Sequence, residues 1–274
     1  MTRWLVRFGY DGGPFMGWAR QPGLRTVEGE ILGGVVRCGI APSPGAVELE
    51  VASRTDRGVS ARGNVLALTS RLSGPAVLRA LNGIAPEIFF YEATEMPESL
   101  RVRAARTREY RYFLFEPEPA LSAWSALLPM FVGRPIDVRS FARGVPAGSP
   151  CWRTLERLTL ERAPWGGVLR VEARGFLWGM VRKIVAALAS SARGELSHQD
   201  LARALAGELR LSVPLAAPEP LVLWNVEYGI PFDHRTVHRT RSQQRYLAGA
   251  LEHARGRAVV LPSLDPGPSE PASG

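Results

Sequence analysis

The order of apolar runs in this chain predicts an α+β fold made of two β-α-β-β-α-β units in tandem. Three observations carry that expectation. The segment Trp4 to Tyr10 opens a cycle of strand, helix, two strands, helix and strand that closes at Glu87 to Tyr91. The segment Glu109 to Phe115 opens a second cycle in the same order, closing at Leu221 to Tyr228. The 274 residues suffice for a sizeable core and one or two domains. Two such ferredoxin-like units have open sheet edges. They can share one mixed, mostly antiparallel sheet with a cleft across a face. The boundaries read as 1–104 for the first unit, 105–231 for the second and 232–274 for a basic extension and tail.

In the first unit, Asp11-Gly12-Gly13-Pro14 is a turn after the opening strand. Thr26 suits a helix N-cap, and Val27, Ile31, Leu32 and Val35 form a helical stripe to Arg37. Val47 to Val51 alternates apolar and charged residues, a strand pattern, and Asn64 to Leu68 is a second run of strand length. Ser73-Gly74-Pro75 opens a second helix, with Pro75 near its first position and Gly83 as its stop.

In the second unit, Tyr110, Tyr112 and Leu114 share one face of the opening strand, and Arg111, Phe113 and Phe115 the other. Ala120 to Phe131 reads as helix, and Ser140-Phe141-Ala142 ends a short second one. Thr154 to Glu161 and Val168 to Ala173 read as strands joined through Ala163 to Gly167. Phe176 to Arg193 reads as a long helix stopped by Gly194. Ser197-His198-Gln199-Asp200 caps a helix through Ala206. Beyond the closing strand, Leu247, Ala250 and Leu251 suggest a short amphipathic helix in a basic segment. It is either packed on the protein or an RNA-contacting arm. Leu261 to Gly274 reads as disordered.

Net charge is +8 and the pI near 10.3. Lys183 is the sole lysine, so the cations are almost all arginine, whose planar fork suits phosphate and bases. Cys38 and Cys151 lack paired spacing. They imply reduced thiols in a cytoplasmic protein, neither a disulfide scaffold nor zinc ligands. His234 and His238 stand four apart with no clear third ligand, so no metal site is expected. Charges break Met1 to Arg7, so no signal peptide is expected. Arg182 and Lys183 interrupt the longest apolar run, Gly175 to Ala192, so no membrane span is expected.

One stretch stands apart. Ala52 to Ser60 lies between the two inner strand patterns of the first unit and places Asp56 between Arg54 and Arg57, with Gly58 just beyond. Neighbouring cations favour the charged form of a carboxylate, and such a group is a usable nucleophile. The plainer alternative is a surface Asp in a charged loop.

Arg54-Thr55-Asp56 with Gly58-Val59 resembles the signature loop of the tRNA pseudouridine synthase A family. Phe8-Gly9-Tyr10-Asp11-Gly12, with Phe15-Met16-Gly17-Trp18 and Gln21, resembles that family's opening strand and turn. Tyr110-Arg111-Tyr112, Met180-Val181-Arg182-Lys183-Ile184-Val185 and Leu221 to Val226 resemble its later blocks in the same order. The resemblance implies the shared sheet and a reaction that cuts the N1 glycosidic bond of uridine, turns the base and rejoins it through C5. That isomerisation needs no cofactor, and no Walker loop or dinucleotide fingerprint is present.

The resemblance makes Asp56 the catalytic carboxylate and Tyr110 the aromatic platform that offsets the cost of unstacking the target base. Read without it, Tyr110 is a core strand aromatic. Arg54 would fill the gap in the RNA stack or hold phosphate, Arg182 would pair with Asp56, and Leu221 would wall the uracil pocket. The resemblance also implies tRNA as partner, positions 38 to 40 of the anticodon stem-loop as target, and a homodimer bridged by one RNA. Ser53, Ser60 and Asn64 depart from the common bacterial pattern of Gly, His and Gln, and look more like the archaeal and eukaryotic branches.

A competing reading is a non-catalytic RNA-binding protein, since paired recognition modules share this element order. Such modules need paired aromatics on their central strands, and Asn64 to Leu68 carries none. A hydrolase with an Asp nucleophile would need a partner acid or a metal, and none accompanies Asp56.

Overall fold

The computed structural model describes residues 1–145, 151–236 and 239–263. In chain order, strand β1 (Thr2–Tyr10) leads to helix α1 (Val27–Arg37) and strands β2 (Glu50–Val51) and β3 (Ser60–Ser70). Helix α2 (Gly74–Leu81) and strand β4 (Ile88–Glu95) complete that cycle. Strand β5 (Thr107–Leu114), helix α3 (Glu118–Leu127) and the two-residue strands β6 (Ile136–Asp137) and β7 (Trp152–Arg153) follow. Next come β8 (Arg157–Ala163), β9 (Gly166–Ala173), α4 (Met180–Ala192), α5 (His198–Leu205) and β10 (Leu221–Glu227). A short β11 (His234–Arg235) and helix α6 (Arg241–Ser263) end the described chain.

One large sheet runs in the order β11-β4-β1-β3-β10-β5-β9-β8, with β2 also paired to β3. All of its pairings are antiparallel except β3 with β10. Each cycle thus repeats one arrangement: its first strand lies between its last and its third, and its second strand edges the third. This is the expected mixed, mostly antiparallel α+β sheet.

The join positions the cleft. One side of β3 pairs with β1 from Thr2↔Ser70 to Tyr10↔Ala61. Its other side is divided. β2 takes Leu66 and Ala67, while β10 takes Ser60 and Ala61. The chain between, residues 52–59, leaves the sheet where the two sets of strands meet.

Alternation along β5 sorts its residues as expected. Tyr110, Tyr112 and Leu114 are buried, whereas Phe115 is exposed. On the opposite face Arg111 and Arg170 are directly paired, as are Glu109 and Glu172. Like charges stand opposite each other, so the attraction runs diagonally to Glu109 and along β9 to Glu172. Arg170 Nε lies 3.0 Å from Glu109 Oε1, and its Nη2 lies 2.6 Å from Glu172 Oε1. Caps form where local chemistry asks for them: the Thr26 and Ser197 side chains accept from the backbone N–H of Gly29 and Asp200.

Several expectations need correction. Val47 ends a short 3₁₀ turn and only Glu50–Val51 is strand, because Glu48 takes a left-handed φ of +46° that breaks the extended run. Ser140 to Ala142 ends no helix; the chain there turns after pairing as β6 with β7. The long helix begins at Met180, not Phe176, because Gly179 adopts a left-handed φ of +70°. The C-terminal helix is long, 23 residues, and takes in Leu261 to Ser263. His234 lies in a strand with its ring 5.6 Å from that of Trp4. His238 and residues 264–274 lie outside the described residues.

Candidate active site

A cleft of about 1240 Å³ opens at the junction of β3 and β10, and Asp56, Arg54, Tyr110, Arg182 and Leu221 all line it. Seven arginines line it against two carboxylates, Asp56 and Glu219, so its field favours an anionic ligand.

The loop bearing Asp56 is stitched down at both ends. Ala52 N donates to Val65 O at 2.8 Å, and Asn64 Nδ2 to Ser53 O at 2.9 Å. Trp18 N donates to Thr55 O at 3.1 Å, and the Thr55 hydroxyl lies 2.8 Å from the Tyr10 hydroxyl. After Asp56 the chain reverses, with Val59 N donating to Asp56 O at 3.2 Å, and Gly58 takes φ +79°. That left-handed geometry favours glycine. The three departures noted in the sequence belong to this bracing. Ser53 Oγ accepts from Arg108 Nε at 3.0 Å, Ser60 Oγ accepts from Gly12 N at 3.0 Å, and Asn64 anchors Ser53 as above.

Two donors hold the Asp56 carboxylate. Arg182 Nη1 donates to Oδ2 at 2.9 Å, and Trp178 Nε1 donates to Oδ1 at 3.0 Å. Arg182 comes from the first turn of α4, and its Nε donates to Ala216 O at 2.7 Å. The pair is partly shielded, with side-chain exposures of 13% for Arg182 and 21% for Asp56.

Tyr110 is both core strand residue and cleft wall. Its ring meets Phe176 edge-on at 5.1 Å, and burial above all pushes its phenol up to about 12. Leu221 is buried at the start of β10, and Arg54 is exposed at the rim.

Sequence reasoning misses Trp178, Phe176, Arg143 and Arg108. Composition puts the first two inside a helix that in fact begins only at Met180. Gly179 is the available signal, since a glycine beside the Met-Val-Arg block suits a left-handed cap. Arg108 is buried and donates to Ser53 Oγ, Ala52 O, Arg103 O and Arg174 O, tying the Asp56 loop to two others. Among the described residues, no group of three His, Cys, Asp or Glu side chains forms a metal site. Nor is any helix there long and apolar enough to cross a membrane.

A family model described as tRNA pseudouridine synthase matches residues 130–229. A protein named tRNA pseudouridine synthase A from Thermococcus kodakarensis is 39% identical over 241 residues, 86% of this chain and 90% of its own length. Proteins of the same name from Thermococcus onnurineus and Pyrococcus furiosus are 38% and 36% identical, over 84% and 82% of this chain and 86% and 84% of their own lengths. With similarity of that depth along most of both chains, this chain belongs to the tRNA pseudouridine synthase A family.

Proposed function

We propose that this protein isomerises uridine to pseudouridine in tRNA, with Asp56 as the catalytic carboxylate. One observation carries the assignment: Asp56 lines an arginine-rich cleft, with Arg182 on its Oδ2. The ion pair aims the carboxylate, as a nucleophile or base at the sugar and base requires. The N1–C1′ bond breaks, the freed uracil turns within the cleft, and a C5–C1′ bond forms. The proton on C5 is then lost and N1 ends protonated, so atoms balance without a redox partner.

Tyr110 supplies a ring for the extruded base, and Leu221 an apolar wall. The rim arginines, Arg54 among them, hold the phosphate backbone. The finer reading follows the family resemblance. The target lies in the anticodon stem-loop at positions 38 to 40, and the enzyme works in the cytoplasm as a homodimer. Release of tritium from tRNA carrying [5-³H]uridine tests the activity, with Asp56→Asn as control. The variant is expected to bind tRNA and release none, because phosphate contacts and not one loop carboxylate dominate affinity. Normal turnover by Asp56→Asn would remove that residue from the catalytic role.

A further inference from the structure

We propose that Trp178 is a positioning residue for the isomerisation, fixing the second oxygen of the Asp56 carboxylate; this rests on the reading of Asp56 as the catalytic group. The indole N–H donates to Oδ1 at 3.0 Å while Arg182 holds Oδ2 at 2.9 Å. A carboxylate gripped on one oxygen still rotates about its Cβ–Cγ bond. Gripped on both, its plane is set, and reacting groups held in a set geometry lose less entropy on the way to the transition state.

The indole is built into this position. Trp178 is 57% exposed, yet three features fix it. Its carbonyl accepts from Arg143 N at 2.8 Å, and the Arg143 guanidinium lies 4.2 Å from its ring centroid. Gly179, at φ +70°, turns the chain between the indole and helix α4. A Cβ there would meet Leu215 Cδ2 at 2.9 Å. That turn lets residues 178 and 182 reach one carboxylate from either side of the helix start.

The exposure explains when the contact matters. In the free protein, water competes for the indole N–H. RNA seated in the cleft excludes that water, and a hydrogen bond to a charged acceptor strengthens in the drier site.

The test uses the full chain. Trp178→Phe keeps a ring and removes the donor. Single-turnover pseudouridine formation is expected to fall about tenfold, the scale of one hydrogen bond to a charged group. The Kd for tRNA and the melting temperature should stay near wild type. A second arm needs no substrate. The Trp178 indole resonance, identified by its loss in Trp178→Phe, is expected to move upfield in Asp56→Ala. A resonance that does not move, or a Trp178→Phe enzyme with wild-type rate, overturns the proposal. So does weaker tRNA binding at an unchanged rate, which would make Trp178 an RNA contact. If the wild-type protein makes no pseudouridine, the functional reading itself fails, and the resonance still reports whether the indole holds Asp56.

Discussion

Arg182 reaches Asp56 across the junction of two strand sets, its Nη1 2.9 Å from Oδ2. The same guanidinium donates through Nε to Ala216 O at 2.7 Å, and Ala216 N returns a bond to Arg182 O at 3.3 Å. One side chain thus aims the carboxylate and pins the segment leading into β10. Arg182→Ala is expected to lower the single-turnover rate about a hundredfold through misplacement of the reacting groups. It should also cost about 2 kcal/mol of stability, between the values for exposed and buried pairs. Urea unfolding and a rapid-quench assay measure the two effects separately.

Tyr110 presents its ring to the cleft, and burial raises its phenol to about 12. Tyr110→Phe should keep most activity, and Tyr110→Leu should lose most of it, since stacking needs the π face. Equal inactivity of both would assign the hydroxyl a chemical role.

The same burial has a stability consequence. A phenol whose folded pKa lies above its unfolded value of 10.0 contributes stability below that value, and loses it as pH climbs toward 12. Tyr91 is likewise raised to about 12, by burial first. Denaturant midpoints are expected to be insensitive to these two groups from neutrality to mild alkalinity, then to fall as pH passes 10.0. Tyrosinate absorbance against pH should show no step at the ordinary value for either residue, as single Phe substitutions would reveal.

Arg108 offers a sharper case of an interaction the fold depends on. It is buried and its guanidinium serves four acceptors on three segments. Lysine cannot reproduce that planar fork. Arg108→Lys and Arg108→Ala should each lose about 3 kcal/mol or more. Both should slow turnover, because Ser53 and Ala52 lie at the root of the Asp56 loop. A stable Arg108→Lys would show that charge alone suffices.

What is legible in the sequence follows locality. The Thr26 and Ser197 caps and the face pattern of Tyr110, Tyr112 and Leu114 rest on short-range signals, whereas Asp56, Arg54, Tyr110, Arg182 and Leu221 are singled out as site residues by the family resemblance. The failures rest on tertiary competition. Val47 to Leu49 alternates as a strand should, but β2 pairs with β3 only at Leu66 and Ala67. Phe176 to Trp178 has helical composition, but the left-handed Gly179 ends the helix early and frees Trp178 to reach Asp56. Arg108 reads as one more cation among many, because four carbonyl and hydroxyl acceptors from distant segments leave no trace in local sequence.

The C-terminal helix answers part of its own question. Near its start, Gln243 is buried and its Nε2 donates to Asn82 Oδ1 at 2.9 Å and Ile88 O at 2.8 Å. The Tyr246 hydroxyl donates to Asp11. From Leu251 to Gly256 every residue is exposed. Gln243→Ala should cost about 1–3 kcal/mol, since it strands buried acceptors. Ending the chain at Ala250 should leave the melting temperature unchanged, whereas ending it at Ile230 should lower it. For each duplex phosphate that the shortened chain no longer neutralises, the slope of log K against log salt flattens by about 0.9. An unchanged slope after ending the chain at Ile230 would make α6 a structural cover and not an RNA arm.

The divided edge of β3 also bears on how the protein behaves while it is being made. Residues 60 and 61 wait for β10, which begins at Leu221, and Asp56 waits for Arg182. Everything the first four strands can fold without help omits the wall and the counter-ion of the site. A growing chain, or one cut short by a damaged message, therefore carries its carboxylate as an ordinary loop side chain. On the proposed reading of Asp56, reactivity is expected only once β10 and Arg182 are in place.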